Sequence, residues 1–269
     1  MPDRRAMLTG LAAAPLAACA TRSRPEDAAV LGLATFNIWH NMGDWPARLP
    51  LLVAALRAAD ADVIALQEVL EDAGADLPNQ AQTLAAALGD YTVHFSSADA
   101  AGRPRRYGNA ILSRLPVVAH DWKKLEPLDD YRTAIRTRVD FHGRPIDIVN
   151  THLAWQPDQA ATRARQIADL MDWLPKDGTP LAVMGDFNAE QTDPGLAVLA
   201  DRRFFSALPE GAAATTLNPA MGHAPRVIDH IFVEAARFAP VSAEVIGEAS
   251  VDGLHASDHF GVAATVRLR

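Results

Sequence analysis

The residues of this chain that could carry chemistry stand at the ends of short apolar runs. One such run, residues 181–184, leads through Gly185 to Asp186 and Asn188, which flank Phe187. Side chains two apart at a strand end share a face, so the carboxylate and the amide would point into one pocket while Phe187 anchors the loop in the core. This pair could orient or help deprotonate a water molecule and donate an N–H to a developing anion.

Similar residues recur beside five other apolar runs: Asn37, Glu68, Asn150 with His152, Asp229, and Asp258 with His259. A single acidic or amide residue at a strand end is more often a solvated residue or a cap than a catalytic group. Six occurrences favour a shared pocket at one edge of a sheet. Burying several carboxylates there without a cation would be costly, which indicates a metal site.

The elements that must position these residues alternate between β-rich runs and amphipathic segments. Helices are predicted at 49–60, 79–90, 157–174 and 194–201, where Pro50 is acceptable only in a first turn and Gly89 ends the second helix. Strands are predicted at 31–39, 61–69, 91–96, 109–113, 117–122, 132–140, 145–151, 180–186, 227–233, 240–247 and 259–267. Strands outnumber helices and several form hairpins, so we expect an α/β fold of two mixed sheets packed face to face, with helices outside.

Length and charge limit the classes of function. The chain has 269 residues, 49% of them hydrophobic, and a formal charge of −8. Residues 30–269 therefore suffice for one large domain. The acidic balance argues against a protein that grips duplex DNA over a broad basic surface, although a nuclease with a bound metal stays open.

The first 29 residues resemble an export signal followed by a tether. Residues 1–19 contain the pair Arg4 and Arg5, a short apolar stretch, and small residues before Cys19, the only cysteine of the chain. This order is typical of a Tat-type signal with a lipoprotein cleavage site. We therefore expect an exported periplasmic or cell-envelope lipoprotein, held to the membrane through Cys19 and a polar tether at 20–29. An ordinary secretory peptide is the alternative.

Seven segments together resemble a known family. They are TFNIW, LQEV, GNAILS, NTHL, GDFN, IDHIF and SDHFGV, in this order between residues 31 and 269. The set is similar to the endonuclease/exonuclease/phosphatase superfamily, which has the deoxyribonuclease-I-like fold. The resemblance implies a four-layer α/β sandwich, a divalent metal and hydrolysis of a phosphoester bond.

Within that resemblance, the residue types predict the roles of the site residues. Glu68, supported by Asn37 and Asp258, would hold Mg²⁺, or Mn²⁺ or Ca²⁺, because these hard cations take oxygen ligands. His259 would act as general base, with Asp229 fixing its tautomer. The remaining predicted catalytic residues are Asp186, Asn188 and His152, the last as a hydrogen-bond donor to the phosphate or leaving oxygen.

Four further residues are candidates for contact with the substrate phosphate: Asn109, Tyr107, Arg132 and His40. Each has an ordinary alternative as a bracing, solvated or surface residue. His230 and His255 are expected to be structural. The same alternative, a buried structural histidine, stays open for His152.

The motifs do not select the substrate. A nuclease or phosphodiesterase acting on nucleic acid or nucleotides fits, and so does a sphingomyelinase-like enzyme acting on phospholipid head groups or an inositol-phosphatase-like enzyme. No obligate protein partner is evident from the sequence. The alternative to an enzyme is a noncatalytic binding module with the same fold. Loss of a motif residue would favour that alternative.

Overall fold

The computed structural model describes residues 30–199 and 202–269. Within these ranges the strands are β1 (Val30–Asn37), β2 (Val63–Asp72), β3 (Thr92–Ser97), β4 (Arg105–Ser113), β5 (Val117–Lys124), β6 (Thr133–Phe141), β7 (Arg144–His152), β8 (Leu181–Asp186), β9 (Phe204–Ser206), β10 (Asp229–Glu234), β11 (Phe238–Ile246), β12 (Ser250–Val251), β13 (Leu254–His255) and β14 (Gly261–Leu268). The α-helices are α1 (Trp45–Ala59), α2 (Gln80–Leu88) and α3 (Ala160–Trp173). Short 3₁₀ turns lie at Ala73–Ala75, Pro194–Leu196 and Pro219–Met221.

Twelve of these strands form two six-stranded sheets. The first has the order β11-β14-β1-β2-β4-β3, and the second has the order β5-β6-β7-β8-β10-β9. Each sheet contains one parallel pair, β1 with β2 and β7 with β8, while the other neighbouring strands run antiparallel. The expected mixed sheets are confirmed.

Three apolar layers hold the sheets and helices together. Between the sheets, residues such as Leu33 and Ile111 of the first meet Ile148 and Met184 of the second. The outer face of the first sheet packs against α1 and α2. The outer face of the second sheet packs against α3. The result is the expected four-layer sandwich, helix, sheet, sheet and helix, in which each sheet is apolar on both faces.

The first helix starts earlier than the sequence pattern predicted. Asp44 accepts a hydrogen bond from the backbone N–H of Ala47 and caps the helix, and a proline follows within the first two positions. Pro50 consequently lies inside the helix, so its prediction as a first-turn residue was wrong. The cap and the packing of Trp45 and Leu52 against the sheet outweigh the lost backbone hydrogen bond.

Other element boundaries also differ from the predicted ones. Of the helix predicted at 194–201, the described residues up to 199 contain only a 3₁₀ turn, Pro194–Leu196, and Gly195 within it is a poor helix former. The third helix begins at Ala160 instead of residue 157. The strand predicted from 109 extends back to Arg105, and the three-residue β9 was not predicted. Gly89 does end α2, with a left-handed φ of 88°.

The N-terminal predictions fall outside the described residues. This applies to the signal segment 1–19 with Cys19 and to the tether 20–29. Among the residues that the structure does describe, no helix is long and apolar enough to cross a membrane.

Candidate active site

The polar residues at the strand ends lie together at one edge of the sandwich. Asn37 ends β1, whereas His152 and Asp186 end the parallel pair β7 and β8. Asp229 begins β10, which runs antiparallel to β8 and therefore starts at the edge where β8 ends, and His259 lies just before β14. A cleft of about 670 Å³ opens at this edge, and Glu68, His152, Asp186, Asn188, Asp258 and His259 all line it.

A β-bulge directs Glu68 into the cleft. Leu66 pairs with Ala110 and Val69 pairs with Gly108, so two residues of β2 face one residue of β4. Glu68 has a φ of 59°, a left-handed conformation that costs energy in a non-glycine residue. A bulge of this kind re-aims a side chain, and here it directs the carboxylate away from the ladder.

The buried neighbour of Glu68 fixes this bulge. Gln67 donates from Nε2 to Asn150 Oδ1 at 2.7 Å and to Thr35 Oγ1 at 3.0 Å. Asn150 in turn donates to the backbone carbonyl oxygens of Leu66 and Ala110. Asn150, which the sequence pattern grouped with the polar strand ends, thus ties the two sheets together beneath the cleft.

The GDFN segment has the arrangement predicted from its sequence. Phe187 is fully buried and packs edge-on against Phe232, with ring centroids 5.2 Å apart. Asn188 adopts a left-handed φ of 51°, which returns its side chain to the side of the cleft that Asp186 occupies. Its backbone N–H donates to Asp186 Oδ1 at 2.9 Å, and its Nδ2 donates to the Leu153 carbonyl at 3.1 Å. Gly185, with a φ of 145°, has no room for a Cβ because the Thr151 carbonyl lies against it.

His259 and Asp229 form a buried hydrogen-bonded pair. His259 Nδ1 lies 3.0 Å from Asp229 Oδ2, and the Asp229 side chain is fully buried. Burial raises the pKa of Asp229 to about 6, although His259 opposes the rise. Burial lowers the pKa of His259, but Asp229 and Asp186 outweigh this and raise it to about 10. In this state the pair is a carboxylate facing an imidazolium at neutral pH.

Asp186 lies between two imidazoles and an amide. Its Oδ2 is 3.0 Å from Asn37 Nδ2, 3.3 Å from His152 Nε2 and 3.7 Å from His259 Nε2. Burial raises the pKa of Asp186, yet the two histidines and these hydrogen bonds lower it below its usual range. Burial together with nearby Arg132 lowers the pKa of His152 well below its usual value. Asp186 therefore stays ionised, and a neutral His152 can donate a hydrogen bond.

Glu68 and Asp258 supply oxygen atoms that suit a hard cation. Burial raises the pKa of Glu68, and the nearby carboxylate of Asp258 raises it further. His40 Nε2 is 3.8 Å from Glu68, and His223 Nε2 is 3.5 Å from Asp258, so each carboxylate has a partly exposed imidazole beside it. Two repelling carboxylates that line one cleft fit a divalent metal, which would relieve both their repulsion and their burial.

Asn37, which is expected to support the metal site, contacts both carboxylates of the cleft, and its role as a metal ligand stays a prediction. Its Nδ2 donates to Glu68 Oε1 at 3.2 Å as well as to Asp186, and its Oδ1 accepts from the Trp39 backbone N–H at 3.0 Å. The amide thus holds the two carboxylates at a fixed separation. Its oxygen accepts the hydrogen bond that orders the backbone at Trp39.

A second group of possible ligand atoms favours proton transfer over metal binding. Ligand atoms of Asp186, Asp229 and His259 lie within 4.8 Å of one another and are buried. The hydrogen bond between His259 and Asp229 would have to break for a cation to take either atom. Glu68 and Asp258 carry no such mutual bond, so they are the better metal candidates.

The four predicted phosphate contacts occupy different positions. Arg132, Tyr107 and His40 line the cleft. The ring of Tyr131 lies between two of them, 4.6 Å from the Arg132 guanidinium carbon and 5.9 Å from the Tyr107 ring. Asn109 is buried and donates to the Thr133 carbonyl at 2.9 Å, so its amide braces β4 against β6. His230 is structural as expected, since its buried ring bonds the Ala189 carbonyl at 2.9 Å.

Comparison with known proteins identifies the family. The Endonuclease/Exonuclease/phosphatase family profile matches residues 34–259. The chain belongs to this family. No curated protein matches the sequence. The family supports phosphoester hydrolysis as the general function of the chain.

Several solved structures share the fold. The human Nocturnin catalytic domain with bound sulfate is 22% identical, with a TM-score of 0.73, and the match covers 89% of this chain and 94% of that one. TDP2 from D. rerio, complexed with a single-strand DNA product, is 19% identical with a TM-score of 0.73, over 88% of this chain and 99% of that one. A mannosyl-6-phosphatase from Bacteroides thetaiotaomicron is 20% identical with a TM-score of 0.71, over 89% and 99%. At these identities the likeness establishes the fold.

The sequence analysis did not identify a buried arginine that positions two segments of the site. The side chain of Arg48, on α1, is 1% exposed and donates to five carbonyl oxygens, those of Ile38, Trp39, His40, Met42 and Ala256. It joins the loop after β1 to the segment before Asp258. The only sequence signal was an arginine among the apolar residues of the first helix.

Proposed function

We propose that this family member is a divalent-metal-dependent phosphodiesterase or nuclease. The observation that carries the proposal is that Glu68 and Asp258 line the same cleft as His259, which Asp229 holds from behind. A cation site and a proton-transfer pair around one opening are the two requirements of metal-assisted phosphoester hydrolysis.

The oxygen ligands favour Mg²⁺, with Mn²⁺ or Ca²⁺ as alternatives. Glu68 and Asp258 would hold the cation. When bound, it supplies positive charge that stabilises the phosphate oxygens and the leaving oxygen. Asn37 would keep Glu68 in place through its Nδ2, as it does in the present arrangement.

The remaining residues handle protons and charge. His259 accepts a proton from the attacking water, and Asp229 stabilises the imidazolium that forms. A cation at Glu68 and Asp258 would oppose protonation of His259, which makes the basic form available in the complex. Asp186 orients the water, while Asn188 and His152 donate hydrogen bonds to the phosphoryl oxygens.

The test is hydrolysis of bis(p-nitrophenyl) phosphate with Mg²⁺ and with excess EDTA. Wild type should turn over only with the metal, and Asp186→Asn should lower kcat by about 10²-fold or more. Asp121→Asn is the control, because this carboxylate pairs with Arg136 on the second sheet outside the cleft. Near-normal turnover by Asp186→Asn, or full activity in EDTA, would overturn the assignment, and wild type without any turnover would favour a noncatalytic binding module.

Sphingomyelin and inositol phosphates are the alternative substrates. The TDP2 structure with a single-strand DNA product supports nucleic acid, whereas the mannosyl-6-phosphatase supports a smaller phosphoester. Comparing plasmid DNA, RNA, sphingomyelin and inositol phosphates as substrates would decide between them.

We also propose that the protein is exported and anchored through a lipid on Cys19. The support is the order of residues in 1–19, with Arg4 and Arg5 before the apolar stretch and small residues before the cysteine. Cys19→Ala should move the protein from the membrane fraction to the soluble fraction after cell fractionation. Unchanged membrane retention would rule out the anchor.

A further inference from the structure

Two aromatic side chains at the cleft are exposed without a structural reason. Trp155 is 60% exposed and Tyr131 is 48% exposed, and both line the cleft that contains Asp186 and His259. Large aromatic rings normally contribute to a core, so exposed rings beside a polar site point to a ligand that covers them.

The backbone beside Trp155 is held rigidly although its ring is exposed. The Ala154 N–H donates to Gln166 Oε1 at 2.9 Å. Arg163 Nη1 donates to the carbonyls of Ala154 at 3.1 Å and Gln156 at 2.9 Å. Gln166 and Arg163 are themselves buried on α3. The loop backbone therefore holds Trp155 at the cleft, which lowers the entropy cost of ordering the loop on binding.

The same glutamine fixes the loop that carries Tyr131. Gln166 Nε2 donates to Asp130 Oδ2 at 2.9 Å, while Asp130 Oδ1 accepts from the Tyr131 backbone N–H. One buried side chain thus links both aromatic residues through their neighbours. Its two hydrogen bonds set the relative placement of Tyr131 and Trp155.

A buried cation lies beside Tyr131. Arg132 is 3% exposed, lines the cleft, and its guanidinium carbon is 4.6 Å from the Tyr131 ring centre. Within the described residues it forms no ion pair with a carboxylate, and its Nε has no hydrogen-bond partner. By contrast, Arg136 on the neighbouring strand β6 is paired with Asp121. A buried guanidinium without a counter-ion at a cleft fits an anionic ligand.

We propose that Tyr131 and Trp155 form a subsite for a nucleobase, with Arg132 binding an adjacent phosphate. This proposal rests on the proposed function and narrows its substrate to a nucleotide or single-stranded nucleic acid. Aromatic side chains stack on any base face, and a guanidinium beside them binds the phosphate that the base carries. Both rings line the cleft itself. We therefore expect a ligand inside the cleft, and not a lipid bilayer, to contact them.

Calorimetry in the Asp186→Asn background with Mg²⁺ tests this binding without relying on turnover. The probes are AMP, ribose 5-phosphate, a short single-stranded DNA and phosphatidylcholine vesicles. AMP should bind more tightly than ribose 5-phosphate, because only AMP carries a base. Trp155→Ala should weaken AMP about tenfold and leave ribose 5-phosphate unchanged. Trp122→Ala is the matched control, because this tryptophan is 49% exposed but does not line the cleft.

Each outcome decides the proposal. Selective loss of AMP binding in Trp155→Ala supports it, and the single-stranded DNA then shows whether a nucleotide or a polymer binds more tightly. Equal binding of AMP and ribose 5-phosphate overturns it. So does a loss of AMP binding in Trp122→Ala that is as large as the loss in Trp155→Ala. Vesicle binding that depends on Trp155 without base-dependent binding also overturns it, in favour of a membrane contact. Hydrolysis of bis(p-nitrophenyl) phosphate, measured separately, shows whether the proposed function itself has failed.

Gln166 is a positioning residue in this proposal. Gln166→Leu keeps the bulk but removes both hydrogen bonds, so the preference for AMP over ribose 5-phosphate should shrink severalfold. A purely structural role would weaken both probes equally, and that result would contradict positioning.

Discussion

Replacement of Glu68 by glutamine separates metal binding from folding. The ionised carboxylate destabilises the metal-free fold, because burial and the charge of Asp258 raise its pKa. For an acid with a raised folded-state pKa, this cost is absent at low pH and present above the folded pKa. In EDTA at pH 8, Glu68→Gln should therefore be at least as stable as wild type. The glutamine oxygen can still accept the hydrogen bond from Asn37.

With a bound metal, wild type should be more stable than Glu68→Gln. A cation at a concentration one hundred times its Kd stabilises the folded state by about 3 kcal/mol. In a domain of this size each kcal/mol moves Tm by roughly 2–4 °C, so Mg²⁺ should raise the wild-type Tm by about 6–12 °C. Glu68→Gln should lose most of that shift, because it removes one of the two carboxylates proposed to hold the ion.

Differential scanning fluorimetry with Mg²⁺, Mn²⁺, Ca²⁺ and EDTA measures this shift. Glu71→Gln is the control, since Glu71 lies on the same strand but binds Arg106 and Asn79 away from the cleft. It should change Tm equally with and without metal. The reasoning is refuted if no cation moves the wild-type Tm, or if Glu68→Gln responds as fully as wild type.

Two further substitutions test the proton-transfer pair and the loop support. Asp229→Asn keeps a partner for His259 Nδ1 but removes the charge that helps raise the histidine pKa to about 10. It should lower kcat by about 10²–10⁴-fold in the bis(p-nitrophenyl) phosphate assay, and unchanged kcat would exclude Asp229 from catalysis. Arg48→Met leaves buried carbonyls without donors and should lower the free energy of unfolding in urea by about 3 kcal/mol or more. A loss below about 1 kcal/mol would show that water replaces the guanidinium.

Sequence patterns predicted secondary structure well where neighbouring residues determine it. Alternating apolar and polar runs predicted most strands, and Gly89 predicted the end of the second helix. Boundaries failed where a cap or tertiary packing competed with propensity, as at Asp44 and Pro50. After residue 193 the described residues form only one 3₁₀ turn, in which Gly195 is a poor helix former.

The sequence by itself determined which residues could form the site, because polar groups placed beside buried strands need partners at the strand ends. It also determined the family, since seven segments in a fixed order are unlikely to recur by chance. Only the tertiary structure decided how those groups are used. The bulge at Glu68, the amide orientation of Asn37 and the links made by Arg48 and Gln166 depend on contacts between residues far apart in the chain. Such contacts leave no periodic signal, so the fold had to be known before the cleft and the aromatic residues that line it could be identified.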